Sequence, residues 1–222
     1  MRKVLALAAA SLAFTAVPAS AGIIEYDVTD YNVGSSCSHG MWTNSRNTGC
    51  SKHFSFQDGT VFSVDTDALT GTFTGTAINN LGEVATLDIA LTGLVDALPA
   101  GNTYKAGGGA YDPNKIDFFT DATGTITIGG TVYSLQPGDP FAGSTLFQFG
   151  EGANDKTSAF GGSSWLNLLN PNGTDFTGSR HWDLNFNLFR RTDVPEPSML
   201  LLFALALLGL FGGTRRRFAK VA

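Results

Sequence analysis

The sequence is poor in the residues on which most catalytic and metal-binding sites depend. Its 222 residues include 2 Cys, 3 His and 3 Met. It has no Gly-x-Ser-x-Gly elbow, and the nearest segment, Gly161-Gly162-Ser163-Ser164, lacks the final glycine and is typical of a loop. No pair of carboxylates stands out as the acid and base of a glycosidase. We therefore predict no catalytic residue, no metal and no cofactor.

Positive charge is scarce in the middle of the chain. Between residues 22 and 194 there are 18 Asp and Glu against 8 Lys and Arg, which gives a net charge of −10. Nucleic acids and anionic lipid surfaces attract basic proteins, so this acidic body argues against either as a partner. The remaining cations are concentrated at the two ends of the chain.

Helix-forming stretches rich in Ala, Glu, Lys and Leu are missing from the same region. Thr and Phe, which favour strands, are abundant there, and Gly, Asn and Asp mark turns. The pattern predicts hairpins at 54–64, 70–94 and 125–135, with loop-rich segments at 98–114 and 160–180. We expect one all-β domain over 22–193, an antiparallel β-sandwich or jelly roll.

The segment 181–188 shows the cleanest alternation of apolar and polar residues. Such alternation is typical of a strand with one buried face and one face in water. The residues predicted to be buried are Trp182, Leu184, Phe186 and Leu188. The residues predicted to face water are His181, Asp183, Asn185 and Asn187.

Residues 1–21 have the three parts of a signal peptide in order. Arg2 and Lys3 precede an apolar stretch over 4–17. Ala19 and Ala21 then place small side chains at the two positions that a signal peptidase reads, so the mature chain should begin at Gly22. The pattern predicts an exported protein.

The C-terminal segment, 194–222, is equally ordered. The triplet Pro195-Glu196-Pro197 precedes an apolar run over 198–214 and a cluster of three arginines, Arg215, Arg216 and Arg217. The prolines keep the chain before the run extended, as a processing enzyme requires. The run is just long enough for a single short transmembrane helix, and the arginines predict that its C-terminal end lies in the cytoplasm.

This tail resembles the PEP-CTERM sorting signal of Gram-negative bacteria, in which a Pro-Glu-Pro triplet, an apolar helix with a Gly-Leu-x-Gly run (here 209–212) and an arginine cluster follow one another. The resemblance implies recognition by an exosortase, an integral-membrane, transpeptidase-like enzyme that processes the tail. It also implies brief anchoring in the inner membrane with the body in the periplasm, followed by release to the cell surface or the medium. Proteins with this signal are associated with exopolysaccharide and biofilm.

Cys37 and Cys50 are the two cysteines of the chain, and in an exported protein such a pair is expected to form a disulfide. In the chain-entropy model, a disulfide that closes a loop of this size stabilises the folded protein by about 3 kcal/mol. The alternative is a zinc site that adds His39 and His53 to the two sulfurs. The oxidising periplasm opposes zinc, because a disulfide leaves no thiolate for the metal.

Two further ligand classes stay open. Asp65-x-Asp67 and Asp112-x-Asn114-x-x-Asp117 group oxygen atoms that suit calcium, although Asp and Asn also form ordinary turns. Aromatic residues that could stack on sugar rings are Trp42, Trp165, Trp182, Tyr104, Tyr111 and Tyr133. Trp182 alternates with predicted core residues, so Trp42 and Trp165 are the better candidates.

The expected function is that of a non-enzymatic exported protein that associates with extracellular polysaccharide. The alternative is a secreted carbohydrate-active hydrolase on the same scaffold. A close pair of acidic residues in an aromatic-lined cleft would favour the hydrolase.

Overall fold

The computed structural model describes residues 22–30, 40–45, 49–104, 112–142, 145–153, 159–174 and 180–191. These residues form twelve strands, paired antiparallel in one sheet, which confirms the predicted all-β class. The strands are β1 Ile24–Asp30, β2 Gly40–Ser45, β3 Gly49–Phe56, β4 Val61–Asp65, β5 Thr70–Asn79, β6 Val84–Val95, β7 Ile116–Ile128, β8 Thr131–Leu135, β9 Phe147–Glu151, β10 Phe160–Leu166, β11 Leu168–Leu169 and β12 Arg180–Arg190. Within the described residues no helix has the length and hydropathy needed to cross a membrane. The predicted signal peptide and sorting helix lie outside them.

Eight of the described strands form a closed ring of neighbours. Their order is β1, β4, β5, β6, β7, β9, β10 and β12, and β12 pairs back with β1. β2 and β3 make a second connection between β12 and β5. β8 pairs with the end of β7, and β11 pairs with β8. The ring has an inner side, which must be filled, and an outer side.

Phenylalanine rings fill the inner side. Phe62 lies at its centre, with its ring centroid 5.0 to 6.4 Å from those of six other residues: Tyr26, Phe73, Phe119, Phe147, Phe149 and Phe186. Stacked and edge-to-face pairs of this kind add to the free energy gained from apolar burial. The 17 phenylalanines of the sequence therefore reflect, in large part, the packing of one aromatic core.

The alternation in β12 predicted its inner face correctly, since the four apolar residues are buried. The prediction that the opposite face is wet is wrong in mid-strand, where Asp183 is 2% and Asn185 is 0% exposed. The chain near Ala153 folds over the neighbouring strands, and its carbonyl accepts bonds of 2.8 Å from Gln148 Nε2 and Ser163 Oγ. Because Ser163 lies opposite Asn185, the polar face of β12 borders a covered, hydrogen-bonded layer.

The prediction of a loop at Gly161-Gly162-Ser163-Ser164 is also wrong. This segment is part of β10, which lies between β9 and β12. A Cβ atom at Gly162 would lie 2.6 Å from the Phe186 ring and 2.8 Å from the Gln148 carbonyl oxygen. Glycine thus makes room for the Phe186 ring in the core. Since glycine has low strand propensity, the two glycines that fit the core also make this strand hard to predict from the sequence.

Two of the three predicted hairpins are confirmed, β5–β6 and β7–β8. The hairpin predicted at 54–64 is wrong, because β3 and β4 pair with successive parts of the same edge of β5 and not with each other. Residues 57–60 lie between β3 and β4 and interrupt the strand pairing along this edge of β5. They are held there by Gln57 N and Thr60 Oγ1, which both donate to the Thr76 carbonyl at 2.9 Å.

Gly124 in β7 is a position where the fold requires glycine. Its φ is +131°, and a Cβ atom there would lie 2.1 Å from the Asp88 carbonyl oxygen. We expect Gly124→Ala to lower the free energy of unfolding by more than about 2 kcal/mol, because a clash adds to backbone strain. Gly82→Ala is the control: φ is +80°, but nothing lies within 4 Å of the Cβ position. Its cost should be about 1 kcal/mol; equal losses in urea denaturation would contradict the clash.

Candidate functional site

The outer side of β5, β6 and β7 carries a regular array of threonines, which we name the threonine grid. Strand register aligns twelve outward-facing side chains of these strands in four rows. Asp88, Ala90 and Asp121 occupy three of the positions. The other nine are Thr70, Thr72, Thr74, Thr76, Thr86, Thr92, Thr123, Thr125 and Thr127.

The spacing of the grid is that of a β-sheet. Neighbouring strands lie about 4.8 Å apart, and outward residues on one strand follow each other at about 6.8 Å. The grid positions are exposed or half-buried, whereas the inward residues between them, such as Leu87 and Ile89, are buried. The row Thr76–Thr86–Thr127 is threonine on all three strands. The grid therefore presents a periodic set of hydroxyl groups to solvent, of which that of Thr72 shares a hydrogen bond of 2.7 Å with Ser63 Oγ.

The start of β1 and the end of β12 lie side by side, and we call this part of the body the exit end. Tyr26 pairs with Arg190, and the Arg191 N–H donates to the Glu25 carbonyl at 2.9 Å. The Arg191 guanidinium lies 2.7 Å from Asp27 Oδ1 and 3.3 Å from Glu25 Oε2. The hydrogen bond with Asp27 is the largest of the causes that raise the pKa of Arg191, and Glu25 adds to it.

A pair of carboxylates lies where β6 ends and β7 begins. Val95, the last residue of β6, pairs with Phe118, and Asp96 and Asp117 are the next residues on either side of this pair. Burial raises the pKa of Asp117 above its ordinary value, and the charge of Asp96 raises it further. Burial also raises the pKa of Tyr26, to which the Asp117 charge contributes. The charge of Asp117 therefore acts on an aromatic core residue.

The acidic pair makes stability depend on pH. Because the folded-state pKa of Asp117 is raised, the folded protein binds that proton more tightly, and stability falls as pH rises from the ordinary pKa of 3.8 through the raised one. Asp117→Asn should therefore increase stability at neutral pH by up to about 1 kcal/mol. The gain should vanish below the ordinary pKa. Thermal unfolding across the acidic range measures this, and a variant no more stable than the native protein at neutral pH would contradict it.

The aromatic residues predicted as sugar contacts lie on separate parts of the described fold. Trp182 is in the core, with its ring centroid 6.0 Å from that of Phe54. Trp165 is half-buried in β10 opposite Asp183, Tyr133 is in β8, and the Tyr104 hydroxyl donates to the Gly152 carbonyl at 2.8 Å. The side chain of Trp42 and the whole of Tyr111 lie outside the described part of the structure. The described aromatics therefore do not form one stacking platform.

Two of the aspartates predicted as calcium ligands, Asp65 and Asp112, act as turn formers, whereas Asp117 lies in β7. Asp65 Oδ1 accepts bonds from the N–H groups of Asp67 and Ala68, at 3.0 and 2.8 Å. Asp112 Oδ1 accepts one from the N–H of Asn114 at 3.0 Å. In the described ranges, no group of three or more His, Cys, Asp or Glu side chains is placed to hold a metal ion.

Several predicted sites lie outside the described residues and stay predictions. The disulfide is one, since Cys37 is not among the described residues, although the backbone of Cys50 lies in β3. The alternative zinc site also stays a prediction, because its ligand His39 lies outside the described residues. The others are the signal-peptidase site at Ala19 and Ala21, the triplet 195–197 and the arginine cluster 215–217.

A polar cleft of about 420 Å³ opens beside β7, and its lining includes Asn102, Thr120, Asp139 and Thr145. The Thr120 hydroxyl donates to the Gly93 carbonyl at 3.2 Å, and the Thr145 hydroxyl donates to the Ala142 carbonyl at 2.6 Å. Both hydroxyls are thus engaged by the protein itself.

Sequence reasoning missed the threonine grid, although half of its signal is local. Thr70-x-Thr72-x-Thr74-x-Thr76 and Thr123-x-Thr125-x-Thr127 each have the period of two that places side chains on one face of a strand. Only the register shows that both runs face the same side with β6 between them.

The fold and its exit end define a class of protein: an acidic all-β body whose last described strand leads within a few residues into a sorting segment. The chain belongs to the SP85-like N-terminal domain family, whose model matches residues 18–191. Residues 193–217 match the PEP-CTERM protein-sorting motif, which confirms the resemblance of the tail. The motif implies exosortase-dependent sorting of an extracellular protein, with export and transient membrane anchoring. No curated protein and no solved structure matches the chain.

Proposed function

We propose that the protein is a non-enzymatic component of the extracellular matrix or biofilm that associates with neutral exopolysaccharide through the threonine grid. In this proposal the ring of strands is flattened into a β-sandwich, and this body follows a cleaved signal peptide. A single transmembrane helix in the tail holds it briefly in the inner membrane, with the body in the periplasm. After processing, the body reaches the cell surface or the medium.

The threonine grid is the observation that supports a polysaccharide partner. A threonine hydroxyl both donates and accepts hydrogen bonds, as the hydroxyls of sugars do. Asp88 and Asp121 are the two charged positions of the grid, so the surface suits a neutral polymer, and the net charge of −10 on residues 22–194 disfavours an acidic one. A repeating polymer engages several rows together, so individually weak contacts reinforce one another.

Replacing Thr86 and Thr127 by valine tests this function. Valine keeps the shape and strand propensity of threonine and removes the hydroxyl, so the fold should persist. Since a net hydrogen bond contributes about 1 kcal/mol, we expect the double variant to bind about 5- to 30-fold more weakly. The measurement is the fraction of secreted protein that sediments with exopolysaccharide from the producing cells over a concentration series.

Thr29→Val combined with Thr131→Val is the matched control. Both residues are exposed on strands outside the grid, so binding should stay at the native level. If both double variants bound exopolysaccharide equally weakly, or if neither bound more weakly than the native protein, the threonine grid would not be the binding surface.

A secreted carbohydrate-active hydrolase is the second candidate, and the Asp96–Asp117 pair is the observation in its favour. Two nearby carboxylates can act as acid and base or as acid and nucleophile, and a raised pKa suits Asp117 to the acid role. Release of reducing ends from the exopolysaccharide by the native protein, but not by Asp117→Asn, would establish hydrolysis. The matrix function predicts no release by either protein.

A further inference from the structure

Little chain separates the folded body from the sorting triplet. Arg191 is held on β1 by its backbone bond to Glu25 and its ion pair with Asp27, and the triplet begins at Pro195. Four residue steps of at most about 3.6 Å each allow no more than about 14 Å between the Cα atoms of Arg191 and Pro195. Covalent geometry sets this limit for every conformation of the residues between them.

This limit is short compared with the body itself. A domain of roughly 170 residues is about 40 Å across. An integral-membrane enzyme that acts on the triplet therefore cannot reach it while the folded body stays away from the surface of the enzyme. The exit end must lie against the outer surface of the enzyme while the triplet occupies the active site.

The exit end has the composition of an interaction surface. Ile23, Phe189 and Phe160 are 65%, 57% and 39% exposed. Phe189 pairs with Asp27 on the outer side of the ring, whereas Phe160 stacks on Tyr26, a core residue of the inner side, with ring centroids 5.4 Å apart. Exposed apolar side chains grouped among charged ones mark contacts with proteins or membranes. The net negative charge of the body disfavours anionic lipid as the partner.

We infer that the exit end docks on the extracytoplasmic surface of the exosortase. Ile23 and Phe189 supply the apolar contacts, and Glu25, Asp27 and Arg191 supply the charged rim. Docking places the triplet in the active site, because the link to Pro195 is too short to position it independently. This inference rests on sorting by the exosortase and is independent of the polysaccharide partner.

Phe189→Ser in the full-length chain, produced in its native cells, tests the docking surface. The fraction of newly made protein that keeps its C-terminal tail is followed over time by gel mobility and intact mass. We expect processing to slow by at least about fivefold, since one large apolar contact is lost. Leu81→Ser is the matched control, because Leu81 is 85% exposed in the turn between β5 and β6, at the opposite end of β5 from the exit end. Equal rates for the native chain and Phe189→Ser would overturn the inference.

A spacer separates docking from simple access to the triplet. About ten Gly and Ser residues inserted between Thr192 and Asp193 extend the link well beyond the 14 Å limit, to roughly 50 Å. Docking predicts that the insertion slows processing and abolishes the difference between the native residue and Phe189→Ser. Unchanged processing with the spacer would show that the body does not contribute to recognition, and faster processing would show that the body hinders access to the triplet. Either result would overturn the inference.

Docking on lipid predicts a different result. The processed protein would then sediment with vesicles that contain phosphatidylglycerol, and Phe189→Ser would abolish that sedimentation. We expect no sedimentation of either protein. Phe189-dependent binding to the vesicles would assign the exit end to the membrane surface in place of the enzyme.

Discussion

Replacing Pro195, Glu196 and Pro197 together by alanine is expected to leave nearly all of the protein in the inner membrane with its tail attached. The apolar run 198–214 and the arginine cluster are untouched, so membrane insertion and orientation of this predicted helix should be unchanged. What is lost is the proline-bounded, extended triplet of the sorting motif matched over 193–217. Immunoblots of the membrane and extracellular fractions measure the effect.

Alanine at both Thr192 and Val194 is the matched control for the triplet. These residues lie in the same short link and outside the triplet, so release should continue at the native rate. Normal release of the triple-alanine variant would show that the exosortase does not recognise the triplet.

Phe62→Ala is expected to lower the free energy of unfolding by about 3–5 kcal/mol. Phe62 is fully buried and contacts six other aromatic rings. Rings packed at this density cannot collapse into the space left by a benzyl group, so a cavity remains. Since domains of this size are stable by about 5–15 kcal/mol, the loss is a large part of the total.

Urea denaturation followed by tryptophan fluorescence measures the effect of Phe62→Ala. Phe189→Ala is the control for removal of a phenylalanine, because Phe189 is exposed and its loss should change stability by less than about 0.5 kcal/mol. A loss below about 1.5 kcal/mol for Phe62→Ala would mean that the aromatic core is loosely packed.

The sequence was sufficient to predict the strand content and the inner face of β12. Trp182, Leu184, Phe186 and Leu188 alternate with polar residues, and alternation is a local property that does not depend on which strands are neighbours. The prediction for the outer face was wrong because Asp183 and Asn185 are buried. The polarity of a side chain does not reveal whether other parts of the fold cover it.

Strand neighbours and the candidate sites depend on long-range pairing. The turn residues at 57–60 suit a tight hairpin as well as a strand interruption, and the bonds to Thr76 decide between them. The exit end exists because β1 pairs with β12, which brings Asp27 against Arg191, 164 positions away. The sorting tail, in contrast, could be recognised from its sequence alone, since its triplet, apolar run and arginines are contiguous.

Intact mass spectrometry of the protein recovered outside its native cells tests exosortase-dependent sorting most directly. Sorting predicts a chain that begins at Gly22 and lacks the apolar run 198–214. The same spectrum before and after reduction reports the predicted bond between Cys37 and Cys50. An extracellular chain that still contains residues 198–214 would contradict processing by the exosortase.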